Sequence, residues 1–190
     1  MTAAVPSLDD FTALAQARRT HMLVDRARTV DPSLVEQLCA LVTWAPNHKR
    51  TWPWKFASFT GEGRAKLGEA FVADMTAAGF GDEGKRAKTL TKYTRTPNVL
   101  VVGAAPHENP MLHEENAYAV AAGVQNLLLG ATAAGLASFW STPPLADGPA
   151  ALSLCGFDPG DRIVAVIYLG WPTGSCPAPD RPAPSITHVG

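Results

Sequence analysis

Two short apolar runs constrain the fold of this 190-residue chain more than any other sequence feature. The first, Val99-Leu100-Val101-Val102-Gly103, follows Pro97-Asn98, and the second, Ile163 to Leu169, is ended by Gly170-Trp171-Pro172. Neighbouring side chains of a strand point to opposite faces, so a run that is apolar at every position requires a sheet covered on both faces. Residues 99–103 are therefore predicted to form a central strand.

Local patterns predict two further strands and two early helices. Lys55–Phe59 alternates apolar and polar side chains, and Ala137–Ser141 is a second short strand candidate. Ser7 and Asp10 form a cap pair that opens a helix over residues 8–17. Asp31-Pro32 opens another helix, which stops before Pro46.

The middle of the chain is expected to be mostly helical. Residues 62–92 are rich in Ala, Lys and Glu, and residues 117–136 carry apolar side chains at helical spacing with small residues on the other sides. The second helix is predicted to be buried nearly all round. Helices alternating with buried strands give an α/β or α+β sandwich in one domain.

Charge and hydropathy exclude two classes of partner. The formal net charge of -1 provides no field that would collect nucleic acid or an anionic membrane. The stretch between Glu115 and Asp147 contains no Asp, Glu, Lys or Arg and is long enough to cross a bilayer. Because Ala and Gly dominate it and Gln125 and Asn126 lie in its middle, we expect no membrane span.

Cysteine usage and the amino terminus indicate the compartment. Cys39, Cys155 and Cys176 are scattered and odd in number, which argues against a disulfide framework or a zinc site. The terminus MTAAVPSLDD lacks the basic start and apolar core of an export signal. We therefore expect reduced thiols, no metal and a cytoplasmic protein.

The carboxyl terminus is dense in proline. Pro177, Pro179, Pro182 and Pro184 exclude helix and central strand and favour an extended path. We therefore divide the chain into a domain of residues 1–172 and a proline-rich extension of residues 173–190. The sequence leaves open whether this extension is ordered along a surface or disordered.

Two segments carry side chains suited to an anionic ligand. Arg18-Arg19-Thr20 offers two guanidinium groups and a hydroxyl at a helix end, and arginine forms bidentate bonds to phosphate. The loop from Ala45 to Trp54 displays His, Lys, Arg and two indoles between a helix and a strand. Taken singly, a solvated arginine pair and a turn histidine are the commoner explanations.

Other chemistries find little support. The histidines and glutamates between residues 107 and 115 lack the two-histidine helical spacing of a hydrolytic zinc site and are explained better as solvated helix caps. No Gly-x-Ser-x-Gly elbow and no glycine-rich phosphate loop occurs. A serine hydrolase and a stably bound dinucleotide or nucleoside triphosphate are therefore not predicted.

Taken in order, four segments resemble the nitroreductase family, and most closely its small, single-domain members. They are Arg18-Arg19-Thr20, the loop from Ala45-Pro46-Asn47-His48-Lys49 to Pro53-Trp54, the helix 112–135, and the run from Ile163 to Pro172. Their order and spacing are more specific than any single motif. The resemblance implies an α+β fold, a three-layer sandwich whose central, mostly antiparallel sheet is flanked by helices, and a homodimer.

The resemblance also implies FMN, held in clefts formed by both subunits. Arg18, Arg19 and Thr20 would hold the phosphate and the polar edge of the flavin, which His48 of the partner subunit would approach. The other implied cofactor contacts are Trp52, Trp140, Ser141, Thr142 and Arg181, the last as a phosphate ligand. Because the flavin would carry the chemistry, no catalytic side chain is expected.

Two departures from the family pattern concern the pocket. Trp52-Pro53-Trp54 stands where many members have Gln-Pro-Trp, so a large ring replaces a polar contact. Leu136-Ala137-Ser138 stands where Gly-Gly is usual, which narrows the expected pocket.

The implied function is electron transfer from NAD(P)H, through bound FMN, to a nitroaromatic, quinone or similar acceptor by a ping-pong mechanism. The alternative is a non-catalytic flavin or deazaflavin carrier in which Trp52 or Trp140 shuts out a second substrate. A structural dimer without any cofactor is a third hypothesis.

Overall fold

A four-stranded antiparallel sheet forms the centre of the computed structural model, which describes residues 5–190. The expectation of no export signal falls partly on the first four residues, which lie outside the described residues. The strands are Trp54–Phe59 (β1), Asn98–Ala104 (β2), Ala137–Ser141 (β3) and Arg162–Gly170 (β4). Their spatial order is β1-β2-β4-β3, and all seven residues of β2 are buried, so the predicted central strand is confirmed.

Within residues 5–190, six α-helices and two 3₁₀ turns surround the sheet. The helices are Leu8–Ala17 (α1), Pro32–Val42 (α2), Gly63–Ala77 (α3), Glu83–Lys92 (α4), Pro110–Ala133 (α5) and Pro149–Cys155 (α6). The 3₁₀ turns are His48–Arg50 and Tyr93–Arg95. Helices α2 and α5 cover one face, and α3 and α6 cover the other, so the α+β three-layer sandwich is confirmed.

Alternate residues of the central strands feed two separate cores, as the twofold period of a strand requires. Leu100 and Val102 pack with α2 and α5, whereas Val99 and Val101 pack with α3 and Tyr93. Residues 99–102 of β2 thus lie alternately in one core and the other, which explains the continuous apolar run in the sequence.

The two predicted helix starts are confirmed. The Ser7 hydroxyl accepts a hydrogen bond from the Asp10 amide at 3.1 Å, and the Asp10 carboxylate accepts one from the Ser7 amide at 3.1 Å. The hydrogen bonds from Ser7 lower the pKa of Asp10. At α2, the Asp31 carboxylate accepts from the Ser33 amide at 2.8 Å, and Pro32 is the first helical residue.

Residues 62–92 form two helices rather than one continuous segment. Gly79 and Gly81, with φ of +62° and +78°, follow the end of α3 in a conformation that side chains with a Cβ rarely adopt. The Asp82 carboxylate then caps α4 by accepting from the Lys85 amide at 2.7 Å. Composition alone indicated helix and did not separate the two segments.

Helix α5 begins earlier than expected and is less buried. Its cap is Asn109, whose side chain accepts from the Met111 amide at 2.9 Å, and Pro110 follows at the first position. Burial nearly all round is wrong for the single chain, because Tyr118 is 61% exposed and Gln125 is also exposed. None of the described helices, α5 included, is long and apolar enough to cross a membrane.

The carboxyl-terminal extension leaves the sheet beside the segment that follows α1. The Thr173 amide donates to the Leu23 carbonyl at 2.9 Å, and the His21 ring nitrogen Nε2 lies 2.9 Å from the Gly174 carbonyl oxygen. Residues 175–190 form no helix or strand, which agrees with their proline content. The division of the chain at residue 172 stays a prediction.

Candidate functional site

The arginine segment is attached to the edge of the sheet. Arg18 ends α1 with an extended backbone, φ −61° and ψ 130°. Thr20 then forms a parallel bridge with Ser138 in β3, and the His21 amide donates to the Ser138 carbonyl at 3.0 Å. The end of α1 and the edge of β3 therefore fix the backbone from which Arg18 and Arg19 project.

The structure brings four of the predicted site residues together, at what we call the arginine corner: Arg18, Arg19, Thr20 and Arg181. A cleft of about 490 Å³ lies between Arg18 and Arg19 on one side and Pro179 to Arg181 on the other. A second cleft, of about 260 Å³, is lined by all four residues together with Cys176. The sequence leaves open whether the carboxyl-terminal extension is ordered. In the structure, residues 176–181 of this extension form one wall of both clefts.

The guanidinium groups of the arginine corner have no carboxylate partner in the described part of the chain, although Nη1 of Arg19 donates to the Gln16 and Arg18 carbonyls. The ion pairs among residues 5–190 join His48 to Glu115 and Lys55 to two aspartates, so no carboxylate lies within 4.0 Å of the three guanidinium groups. Asp180, which lines the larger cleft, is farther away than that.

Two buried polar atoms near this corner also lack a partner in the described part of the chain. They are Nε of Arg19 and Oγ of Ser138. Because buried polar atoms are nearly always hydrogen-bonded in folded proteins, these two are free to bond a polar ligand beside the corner. The electrostatics favour an anion.

Three further predicted residues continue from the arginine corner along β3. Trp140 pairs with Ile167, lies on the face covered by α2 and α5, and is 36% exposed. Ser141 ends the strand, and its hydroxyl donates to the Thr142 carbonyl at 3.3 Å. Trp140 and Ser141 thus follow Ser138, the bridge partner of Thr20, along the same edge strand.

The loop before β1 has an unusual backbone. Lys49, Arg50 and Trp52 have φ of 57°, 51° and 50°, which is the left-handed region. That conformation costs a non-glycine residue about 1–2 kcal/mol, and such residues cluster at functional sites. His48 precedes them, and its Nδ1 lies 2.7 Å from Oε2 of Glu115 on α5.

Side-chain amides hold this loop in place. Asn47 Oδ1 accepts from the Trp52 amide at 3.0 Å, and its Nδ2 donates to the Thr51 hydroxyl at 3.0 Å. Thr51 in turn donates to Oδ1 of buried Asn116, whose Nδ2 donates to the Ala105 carbonyl at 3.0 Å. The hydrogen bonds offset the cost of the left-handed backbone.

Sequence reasoning missed two members of this loop's support. Glu115 was interpreted as a solvated helix cap, but it lies inside α5 and pairs with His48. Asn116, a polar residue at the head of an apolar helix, was not singled out. A polar side chain in an otherwise apolar part of a helix is the signal that could have identified Asn116.

The His48 loop and the arginine corner lie at opposite corners of the sheet. Ser138 aligns through Leu169 with Asn98, where β2 begins, whereas Trp54 aligns with Ala104, where β2 ends. Three strand spacings, about 14 Å, separate β1 from β3, and the length of β2 adds roughly 20 Å in the other direction. Arg18 and His48 therefore do not meet within one chain.

The three cysteines are free thiols in the described structure. Burial, and secondarily the nearby Glu36 carboxylate, raises the pKa of Cys39 to about 11, and burial raises that of Cys155 to about 12. Among residues 5–190, no group of three or more His, Cys, Asp or Glu side chains is placed to hold a metal ion.

Residues 15–171 match the model of the Nitroreductase family. The chain is 30% identical over 186 residues to the Escherichia coli protein named "Putative NAD(P)H nitroreductase YdjA", which covers 95% of this chain and 100% of that protein. It is 26% identical over 151 residues to the Bacillus subtilis protein named "Putative NAD(P)H nitroreductase YfhC", 75% of each chain.

Solved structures show the same fold. A nitroreductase-like family protein from Bacillus cereus superposes with a TM-score of 0.75 at 27% identity, covering 96% of this chain and 95% of the other. A Bacteroides fragilis nitroreductase with bound FMN has a TM-score of 0.75 at 21% identity, covering 94% of this chain and 98% of the other.

Proposed function

This chain belongs to the nitroreductase family, and from that premise we propose that it is an FMN-dependent oxidoreductase. In the proposed reaction NAD(P)H is the electron donor, and a nitroaromatic, a quinone or a similar small molecule is the acceptor. The observation that carries the proposal is the arginine corner, where three guanidinium groups without carboxylate partners line two clefts beside the edge of β3.

The residues at this corner fit the chemistry of FMN. A phosphate monoester needs fixed cationic donors, and we assign that role to Arg18, Arg19 and Arg181. A flavin ring needs an apolar slot with a few polar groups at its edge, and we assign its contacts to Thr20 and to residues 140–142. The partnerless Arg19 Nε and Ser138 Oγ are polar atoms that such a ligand would satisfy.

The proposed assembly is a homodimer. Helix α1 buries none of its residues in the single chain, and Leu8 and Phe11 are exposed on it, as are Met111 and Tyr118 on α5. A second copy would cover this apolar surface. In this dimer we place His48 and Trp52 of one subunit at the arginine corner of the other, because the two half-sites are too far apart to meet within one chain.

When bound, FMN supplies the redox chemistry by accepting a hydride from NAD(P)H and passing the electrons to the acceptor. The side chains of this protein bind the cofactor and orient it. Glu115 holds His48 through Nδ1, so Nε2 is the atom available to a ligand. The arginines neutralise the phosphate, and the indoles limit access of water.

The first test compares FMN with riboflavin, which lacks the phosphate. Wild-type apoprotein is expected to bind both, and Arg18→Ala is expected to weaken FMN binding about tenfold or more while leaving riboflavin affinity unchanged. Arg26→Ala, at an exposed arginine outside both clefts, is the matched control. Flavin fluorescence titration measures all of these affinities.

Two results would contradict the proposal. Absence of FMN binding by the wild-type protein at micromolar concentration removes the function itself. An equal loss of FMN and riboflavin affinity in Arg18→Ala removes the placement of the phosphate.

The second test is kinetic. Because one slot over the flavin would serve donor and acceptor in turn, we expect parallel double-reciprocal plots when NAD(P)H is varied at several acceptor concentrations. Intersecting plots would indicate a ternary complex and contradict a shared slot. FMN binding without NAD(P)H oxidation would instead favour a flavin carrier.

A further inference from the structure

Trp52 combines an exposed indole with a left-handed backbone. Its side chain is 62% exposed, so a large apolar ring remains in water. Its backbone has φ of 50°, a conformation that costs a non-glycine residue free energy. Glycine at this position would incur neither cost, and asparagine or aspartate would tolerate the left-handed backbone better than tryptophan does.

The indole of Trp52 is nonetheless held in a defined place. Its backbone amide donates to Asn47, and Asn47 is connected through Thr51 to buried Asn116 in α5. Its ring lies 5.7 Å from the ring of Trp54, with an angle of 46° between the planes. The backbone of Trp52 is thus fixed by hydrogen bonds, and its indole packs beside that of Trp54.

We propose that Trp52 determines acceptor specificity by forming one wall of the slot in which the acceptor lies, so that flat aromatic acceptors are preferred over bulky ones. The inference rests on the proposed function, because Trp52 belongs to the loop that carries His48 to the other subunit's arginine corner. Trp140, 36% exposed beside that corner, forms the opposite side. An acceptor then lies in a site with an indole contributed by each subunit.

The geometry of such a slot decides what enters it. Planar rings gain stacking contacts with an indole, whereas substituents that project from the ring plane collide with it. A glutamine at this position would offer a narrow, flexible amide that neither stacks in this way nor excludes bulk. The expected substrate class is therefore nitroaromatic or quinone compounds whose substituents lie in the ring plane.

The experiment uses FMN-loaded wild type, Trp52→Gln and Trp52→Phe, with Trp44→Gln as the matched control, since Trp44 is an indole that is 83% exposed on the turn after α2. The measured quantity is the ratio of kcat/KM for 1,4-naphthoquinone to that for 2,6-di-tert-butyl-1,4-benzoquinone. We expect Trp52→Gln to lower this ratio at least tenfold. Trp52→Phe keeps a flat ring and should lower it less, and Trp44→Gln should leave it within twofold.

A binding measurement gives a second readout that does not depend on turnover. Calorimetric titration of oxidised FMN-loaded protein with 2-naphthoate, a flat ligand that accepts no electrons here, should show affinity about threefold to tenfold weaker in Trp52→Gln. Ferricyanide takes electrons without stacking in the acceptor slot. The kcat/KM for ferricyanide should therefore be unchanged in Trp52→Gln.

An unchanged ratio and an unchanged naphthoate affinity in fully loaded Trp52→Gln would overturn the inference while leaving the proposed function intact. An equal loss toward every acceptor, ferricyanide included, would overturn it too, because Trp52 would then serve the flavin and not the acceptor. A wild-type protein that binds no flavin would remove both proposals. If Trp52→Gln does not fold, Trp52→Phe is used as the test variant. A kcat/KM ratio equal to that of the wild type, together with an unchanged naphthoate affinity, then counts against the inference.

Discussion

At the scale of single residues, Asp74 joins two segments that are far apart in the sequence. It lies near the end of α3, is 3% exposed, and its carboxylate accepts from the Ala150 and Ala151 amides at 2.8 and 2.9 Å. A carboxylate at the amino end of α6 satisfies orphan backbone donors and interacts favourably with the helix dipole. Asp74 thereby fixes α6 against α3.

Replacing this carboxylate should destabilise the protein. We expect Asp74→Asn to lower the free energy of unfolding by about 1–3 kcal/mol, because the asparagine Oδ1 can accept from only one of the two amides, without charge, and its Nδ2 would face the other N–H. Urea denaturation at fixed protein concentration measures the change. Glu69→Gln, at an exposed position of the same helix, is the control and should shift stability by less than about 0.5 kcal/mol.

The buried thiols give a prediction in pH. With pKa values of about 11 and 12, Cys39 and Cys155 each have fewer than about one thiolate in a thousand molecules at pH 8. Maleimide labelling, followed by peptide mass analysis, should therefore be more than about a hundredfold slower at Cys39 than at free cysteine at pH 8, and more than about a thousandfold slower at Cys155. The Cys39 rate should rise about tenfold per pH unit up to near pH 10. Labelling as fast as free cysteine in the native protein, matching the rate in urea, would contradict the assigned burial.

Residues with distant partners were the hardest to predict. The Asn109-Pro110 start of α5 has the same form as the Asp31-Pro32 start of α2, so a local rule covers it although the sequence reading placed the helix later. No local rule covers Asp74 or Asn116. Their partners lie 76 residues away at Ala150 and 65 residues away at Thr51.

At the scale of elements, a close approach of α2 and α5 depends on a glycine. A Cβ added to Gly123 would lie 2.5 Å from both Cγ1 and the carbonyl oxygen of Val42, closer than side chains tolerate. Backbone cannot yield as easily as the end of a flexible side chain. The two helices must therefore separate if this glycine is replaced.

We expect Gly123→Ala to cost about 1–3 kcal/mol by overpacking. Gly84→Ala is the matched control, because Gly84 is a helical glycine whose added Cβ would meet only Asp82 Oδ1 at 3.5 Å. Alanine there should be neutral or stabilise by about 0.4–1 kcal/mol through lower backbone entropy of the unfolded chain. Thermal unfolding of both variants distinguishes the two effects, and equal stability of Gly123→Ala and wild type would refute the close approach.

Elements with strong local signals were predicted well. The four strands and the first two helices follow from apolar periodicity and caps, and each is present within a few residues of its expected bounds. Helix α6 was not predicted, because seven residues without a side-chain cap give too short a periodic pattern. Tertiary support from Asp74 substitutes for the missing cap.

At the scale of the whole molecule, the candidate site divides into two half-sites. Composition and periodicity indicate neither half-site. Only the family resemblance implies that Arg18 of one chain and His48 of another share a cleft. The structure shows that the two residues lie at opposite corners of the sheet in one subunit, so they can share a cleft only between two chains. Their joint role in flavin binding stays a prediction.

Complementation tests this division. Arg18→Ala and His48→Ala homodimers are each expected to bind FMN weakly, and the two variants are then unfolded together and refolded as a mixture. Half of the dimers should be mixed and half of their sites intact, so about a quarter of all sites should recover tight binding. FMN titration measures that fraction. If mixed dimers form and no tight site appears, the two residues do not share a cleft.

The opposite-corner arrangement also has a genetic consequence. A subunit damaged at both Arg18 and His48 would still pair with a normal copy, and it would withhold one half from each of the two clefts. Such an allele would act as a dominant negative, silencing its partner's intact residues, whereas an allele damaged at one corner would leave one working cleft in every mixed dimer. Whether such an allele is dominant would thus depend on the positions of Arg18 and His48 at opposite corners of the sheet.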